Sequence, residues 1–275
     1  MIPAPFEYRR VDSVDEASQA LSDGPDAKLL AGGHSLLPLM KLRLARPSLL
    51  VDISRLEELK YVKEDGDRVA IGALTRHHDV ANSEVLQELC PIVSYAAGEI
   101  GDPQVRHVGT IGGSVAHADP ASDMPSVLVA LDAEMVVRGP GGVRSVGAGG
   151  FFKGLFEPDL ATDEVLTEIR VPKTTGRGWS YLKFHRRAQD WALVGVAALA
   201  QNGSGPSVAL TNMADRPVRA AGVEEELAGG ADPAVASQRA AEGTSPPTDA
   251  FASAEYRLEL VKVLVSASKP AELSE

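Results

Sequence analysis

Ala31-Gly32-Gly33-His34-Ser35-Leu36-Leu37-Pro38-Leu39-Met40-Lys41-Leu42-Arg43 continues a short apolar stretch, Ala27–Ala31, and this junction decides how the chain is read. An apolar run that enters a Gly-Gly pair and leaves through an apolar segment reads as strand, tight turn and helix. Glycine adopts backbone angles that other residues avoid, so consecutive N–H groups in such a turn form a concavity for an anion. The segment Leu36–Leu44, cut off before Pro47, reads as a turn of helix whose N-terminus adds about half a positive charge. A second pentapeptide, Thr110-Ile111-Gly112-Gly113-Ser114, repeats the arrangement. Brought together, two such loops would hold the two phosphates of a dinucleotide, helped by the Ser35 and Ser114 hydroxyls. A lone Gly-Gly-x-Ser is an ordinary turn, and Gly141-Gly142, Gly149-Gly150 and Gly229-Gly230 read as loop material. Neither a Gly-x-Gly-x-x-Gly after the first strand nor a Walker loop is found, so composition and spacing alone give two candidate phosphate loops.

Around these loops, short strands and helices alternate. Helical spacing covers Asp12–Leu21, Asp79–Leu89, Pro91–Ile100 and Pro125–Leu131; strand patterns cover Leu49–Ile53, Arg68–Ile71, Glu134–Arg138 and Val165–Val171. Gly101–Ser114 reads as one glycine-rich loop. Beyond Lys173 the character changes: 179–213 reads as three strands, 217–250 is rich in Ala, Glu, Gly and Pro, and Ser253–Ser266 is a closing helix. A domain boundary is placed near Pro172–Gly176, giving domains 1–172 and 173–275, with a subdomain break near 55–60.

The 275 residues carry 27 Lys and Arg against 38 Asp and Glu, a net charge of −11, which argues against a nucleic-acid partner. A phosphate-bearing ligand must therefore be held by local backbone dipoles. The single cysteine, Cys90, excludes an internal disulfide and any multi-cysteine zinc or iron–sulfur site in this chain, and reads as a small buried residue. The opening Met1-Ile2-Pro3-Ala4-Pro5 has no targeting character. The uncharged stretch Trp191–Ala214 reads as a hairpin, Val194–Ala200 and Ser207–Thr211, turned by Gln201-Asn202-Gly203-Ser204-Gly205-Pro206. The expectation is a soluble, cytoplasmic protein. His77-His78 reads as a surface turn rather than a metal site, because adjacent residues rarely ligate together.

At the two glycine loops the chain resembles a family. Residues 31–43 are similar to the first flavin-binding loop of the FAD-binding medium subunits of molybdenum hydroxylases, the xanthine dehydrogenase family. Residues 110–123, with Asp119-Pro120 and Ser122-Asp123, resemble the second loop. Met1–Tyr8 and Gly101-Asp102-Pro103-Gln104-Val105-Arg106 also fit, nearest to the aerobic carbon monoxide dehydrogenase group. The resemblance implies an α+β fold: an FAD-binding domain of the vanillyl-alcohol oxidase (PCMH) type with two α/β subdomains, then a small antiparallel sheet with helices. It implies FAD on this chain, collecting electrons for a quinone or other acceptor. On partners it implies a small subunit with two [2Fe–2S] clusters and a large subunit with molybdenum and molybdopterin cytosine dinucleotide. The implied assembly is a dimer of heterotrimers, with a peripheral position at the inner face of the membrane open to it.

The resemblance also implies residue roles. Leu30, Ala31, Gly32, Gly33, His34, Ser35 and Leu36 wrap the FAD diphosphate; Thr110, Ile111, Gly112, Gly113 and Ser114 meet it from the other side. His117 falls beside the flavin, or is a polar loop residue. Ser122 and Asp123 fall where the family has an acid bonding ribose or ribitol hydroxyls; capping the helix ahead of Met124-Pro125 is the rival role for Asp123. Leu166 matches a position whose backbone approaches the ring system, or is a routine strand residue. Lys183 matches a lysine that reaches the flavin, where a positive charge favours reduction; a lone strand lysine is otherwise solvated. Trp191 covers the flavin or packs in the core.

Overall fold

The structure is a computed structural model that describes residues 2–268 except Pro25, Gln201, Asn202 and Ser204. The expected turn at 201–204 therefore falls largely outside the described residues, as does Met1. Three sheets carry the architecture. The first is parallel and three-stranded, with Leu49–Asp52 at its centre between Glu7–Arg10 and Lys28–Leu30. All four residues of the central strand are buried, as a parallel strand between two neighbours demands. Helix Val14–Asp23 is started by Ser13, whose hydroxyl accepts from Glu16 N at 3.2 Å, and it packs Val14, Ala17 and Leu21 onto Val51.

A five-stranded antiparallel sheet follows, ordered Val62–Asp65, Arg68–Gly72, Val165–Pro172, Glu134–Gly139 and Gly142–Gly147. Helices Pro91–Gly98, Ile111–His117 and Asp123–Ala130 share a core with it. The C-terminal sheet runs Trp179–Phe184, Val194–Leu199, Ser207–Thr211 and Val218–Arg219, all antiparallel. Its second strand, Val-Gly-Val-Ala-Ala-Leu, is buried on both faces, and strand alternation divides its side chains. Val194, Val196 and Ala198 pack on helix Ala254–Ala267 with Leu260 and Val261. Ala197 and Leu199 join the core of the preceding half with Val127 and Leu128. Each fully buried Val or Leu contributes about 1.5–3 kcal/mol, so this strand welds the two halves together.

Three expectations need correction. The helix expected over 79–89 is two, His77–Ala81 and Glu84–Leu89, because the Ser83 hydroxyl takes Leu86 N and starts a new one. The expected loop 101–114 is largely helical: Asp102 caps Pro103–Val108 at 2.8 Å, and Thr110 caps Ile111–His117. The three strands expected within 179–213 are present, and Val218–Arg219 adds a fourth to the same sheet. His77 is buried in a helix, not in a surface turn. Strands Glu7–Arg10 and Val62–Asp65 had no counterpart in the sequence reading; both are mostly charged and exposed, so neither shows apolar alternation.

Candidate functional site

The two glycine loops meet. A Cβ placed on Gly32 would lie 2.3 Å from Val108 O and 3.0 Å from Gly109 Cα, so the first loop is pressed backbone-to-backbone against the segment that leads into the second. Gly33 has φ +75°, in the left-handed region that glycine alone enters without strain. Its carbonyl receives Leu37 N at 2.9 Å and starts helix Leu36–Lys41. The turn leaves five consecutive backbone N–H groups, those of residues 32–36, with no acceptor among the described residues. These residues are half-buried or exposed, so their donors are open to solvent or to a ligand, and a run of them in one turn is suited to seat an anion.

The second loop differs. Ile111 N donates to Thr75 O at 3.0 Å, Gly112 N to Ala73 O at 2.9 Å, Gly113 N to Thr110 Oγ1 at 3.1 Å, and Ser114 N to Thr110 O at 3.1 Å. Its amides are thus spent on the fold, and what it can offer a ligand are the Thr110 and Ser114 hydroxyls and the bare surface of exposed Gly113. Gly112 is fixed by packing, since a Cβ there would meet the Ala73 Cβ at 2.5 Å. Ile111 and Leu166 belong to one core beneath this loop; Leu166 sits where strand Val165–Pro172 slips register against its neighbour. His117 ends the helix with its ring 4.9 Å from that of Phe156, and burial lowers its pKa against the opposing pull of Asp119.

Asp123 opens helix Asp123–Ala130 but does not cap it, and Ser122, the residue before, makes no side-chain cap bond either. The Asp123 carboxylate instead accepts from Tyr181 Oη at 2.5 Å and from Lys183 Nζ at 3.0 Å; Lys183 also donates to Glu99 O at 2.9 Å. The side chains of the ion pair are 3% and 4% exposed, so Lys183 is not the solvated lysine the sequence left open. Burial pushes the Asp123 carboxyl up, while Lys183 and Tyr181 pull it down. Tyr181 was absent from the sequence-derived site. It lies two residues before Lys183 on strand Trp179–Phe184, hence on the same face, and that period of two was the available signal. Trp191 is 56% exposed, which rules out a core role. A cavity of about 720 Å³, lined in part by His78, Tyr95, Arg106 and His107, contains none of the expected site residues.

The geometry therefore joins an amide cradle to a second loop and, through the segment 117–123, to a buried polar cluster reached from the C-terminal sheet. The chain as a whole is similar to known proteins. The family model described as FAD binding domain in molybdopterin dehydrogenase matches residues 4–174, and that of the CO dehydrogenase flavoprotein C-terminal domain matches 179–268. The carbon monoxide dehydrogenase medium chain of Hydrogenophaga pseudoflava is 44% identical over 96% of both chains. The glyceraldehyde dehydrogenase medium chain of Sulfolobus acidocaldarius is 42% identical, covering 96% of this chain and 97% of that one. A solved structure of carbon monoxide dehydrogenase from Hydrogenophaga pseudoflava superposes with a TM-score of 0.92 at 41% identity, over 98% of this chain and 97% of that chain.

Proposed function

This chain belongs to the FAD-binding medium subunits of the molybdenum hydroxylases, and on that premise we propose that it is the electron-transfer subunit of a carbon monoxide dehydrogenase. The supporting observation is the run of amides at residues 32–36 without an acceptor among the described residues, in a loop pressed against Val108 and Gly109 at the entry to the second loop. A dinucleotide diphosphate carries its charge in a form that such amides neutralise without a lysine, which suits a chain of net charge −11. Bound FAD supplies the redox chemistry, exchanging electrons between a one-electron and a two-electron partner.

The chain's own residues do the rest. Gly32 to Leu36 hold the diphosphate, with Leu30 and Ala31 leading into the turn. Thr110 and Ser114 donate hydroxyl hydrogens, and Gly113 lets the ligand approach the helix backbone. Ile111, Gly112 and Leu166 form the floor beneath. His117 stands at the ring end of the groove. Asp123 and Lys183 act as a neutral buried pair that fixes the C-terminal sheet against the cofactor, with Ser122 beside them; Trp191 faces the ring from the C-terminal domain. The division at 172/173, with a further break near 55–60, separates the cradle from the segment carrying Lys183 and Trp191.

In this reading the electrons come from a small subunit with two [2Fe–2S] clusters, fed by a large subunit with molybdenum on molybdopterin cytosine dinucleotide. The complex is a dimer of heterotrimers that delivers electrons to a quinone or other acceptor. It works in the cytoplasm or at the inner face of the membrane; among the described residues no helix is long and apolar enough to cross one. A second reading, the same subunit serving an aldehyde-oxidising enzyme, is favoured by the 42% identity to the glyceraldehyde dehydrogenase medium chain. The two are separated by purifying the chain with its partners and following flavin bleaching under CO or under an aldehyde. Bleaching by CO supports the first reading; bleaching by the aldehyde alone replaces it with the second.

A further inference from the structure

Arg257 is the largest fully buried side chain among the described residues, 0% exposed within helix Ala254–Ala267. Its Nη2 donates to Asp249 Oδ2 at 2.6 Å and its Nη1 to Leu193 O, while its Nε has no partner among the described residues. Burying a guanidinium carries a desolvation cost that its pairing with the partly exposed Asp249 offsets only in part, and apolar side chains of the same volume serve stability as well or better. What the guanidinium does here is fix a backbone carbonyl two residues after Trp191.

A second tether meets the same place. Asn212 donates from Nδ2 to Ala192 O at 2.8 Å, and its backbone N–H donates to Pro120 O at 2.9 Å. It holds φ +59° to do so, a conformation that asparagine tolerates better than most residues. Pro120 lies between His117 and Asp123. One residue thus links the segment bearing Trp191 to the segment that leaves the second glycine loop. At the base of the excursion 185–192, Leu193 N closes on Phe184 O at 2.8 Å. On its outer side the Arg186 guanidinium lies 5.1 Å over the Phe251 ring, and Phe251 sits two residues after Asp249. The exposed indole of Trp191 therefore stands on a stalk gripped at its foot by Arg257 and Asn212.

We propose that Arg257 and Asn212 are positioning residues that set Trp191 against the face of the bound cofactor. The inference rests on the FAD reading and on the placement of Trp191 in it. Neither residue touches the cofactor; both act through the carbonyls of Ala192 and Leu193.

The test uses the full chain with Trp179→Phe, which leaves Trp191 as its single tryptophan. FAD is added, bound flavin is quantified by absorbance, and Trp191 emission is recorded. With Arg257 intact, bound FAD quenches the indole strongly. Arg257→Met should retain FAD and yet show Trp191 emission several-fold brighter. Asn212→Gly, which removes the amide and relieves the backbone, should do the same and carries the test should Arg257→Met fail to fold. Equal quenching in the reference and in the folded variants overturns the positioning role while leaving Trp191 in place. FAD bound by absorbance with Trp191 unquenched in the reference overturns the placement of Trp191, and the proposal with it. Failure to bind FAD at all would instead contradict the underlying functional reading.

Discussion

Gly32→Ala is the smallest change that tests whether the two loops work as one site. The new methyl would sit 2.3 Å from Val108 O, whereas ordinary contact begins at 3.4 Å, and the obstacle is backbone rather than a movable side chain. The loops must therefore part by about 1 Å, and overpacking of this kind costs about 1–3 kcal/mol of stability. For a chain of this size that lowers Tm by about 2–4 °C per kcal/mol. Binding suffers separately. A shift of about 1 Å takes one or more amide-to-phosphate contacts beyond hydrogen-bonding range, and a bond to a charged acceptor contributes about 1.5–3 kcal/mol. Losing one raises the Kd for FAD roughly 10- to 100-fold. Gly150→Ala, where a Cβ meets nothing within 4 Å, is the control. The assay is FAD titration by flavin fluorescence, with thermal unfolding of each variant in parallel. Wild-type FAD affinity in Gly32→Ala would refute the idea that loop apposition builds the site.

Gly113→Ala should cost less stability than Gly32→Ala, because its Cβ meets only the Thr110 Oγ1, at 2.7 Å, and FAD affinity should still fall because the methyl occupies the surface the ligand approaches. Asp123→Asn leaves the Lys183 ammonium buried without its counter-charge, and thermal or urea unfolding should show a loss of about 3–5 kcal/mol; the double variant Asp123→Asn with Lys183→Met should lose less than the sum of the singles. Burial, with Arg106 and Arg76 nearby, lowers the His77 pKa to about 4. The unfolded chain then binds a proton that the folded chain refuses, so stability should fall as pH drops from about 6.5 towards 4, by up to about 1.4 kcal/mol per unit. His77→Phe should flatten that limb of the unfolding curve, and an unchanged slope would remove His77 as its source.

The parts of the fold legible in sequence were those with one dominant signal. The strand Val165–Pro172, the helix Asp123–Ala130 and the hairpin of Val194–Leu199 with Ser207–Thr211 are predominantly apolar and predominantly buried. Glu7–Arg10 was invisible because its strand character comes from pairing with Leu49–Asp52 and from the Tyr8 hydroxyl on Asp52 at 2.5 Å, not from its own residues. The helices in 101–117 were hidden by glycines, since Gly101 and Gly109 flank the first and Gly112-Gly113 lie inside the second, where the cost is offset by the cap that Thr110 provides; Asp102 caps the first. Resemblance pointed to both loops, but only the coordinates show that the first keeps its amides free and the second spends them. Sequence singled out Asp123 and Lys183 separately; their ion pair depends on how the C-terminal sheet packs, which no local pattern encodes.

The most direct measurement is the visible absorption spectrum of the purified chain with whatever accompanies it, followed by heat release and identification of the chromophore. Flavin bands with about one FAD released per chain are predicted, since a single cradle is built from residues 32–36. A colourless protein that also fails to take up added FAD would contradict the account at its centre.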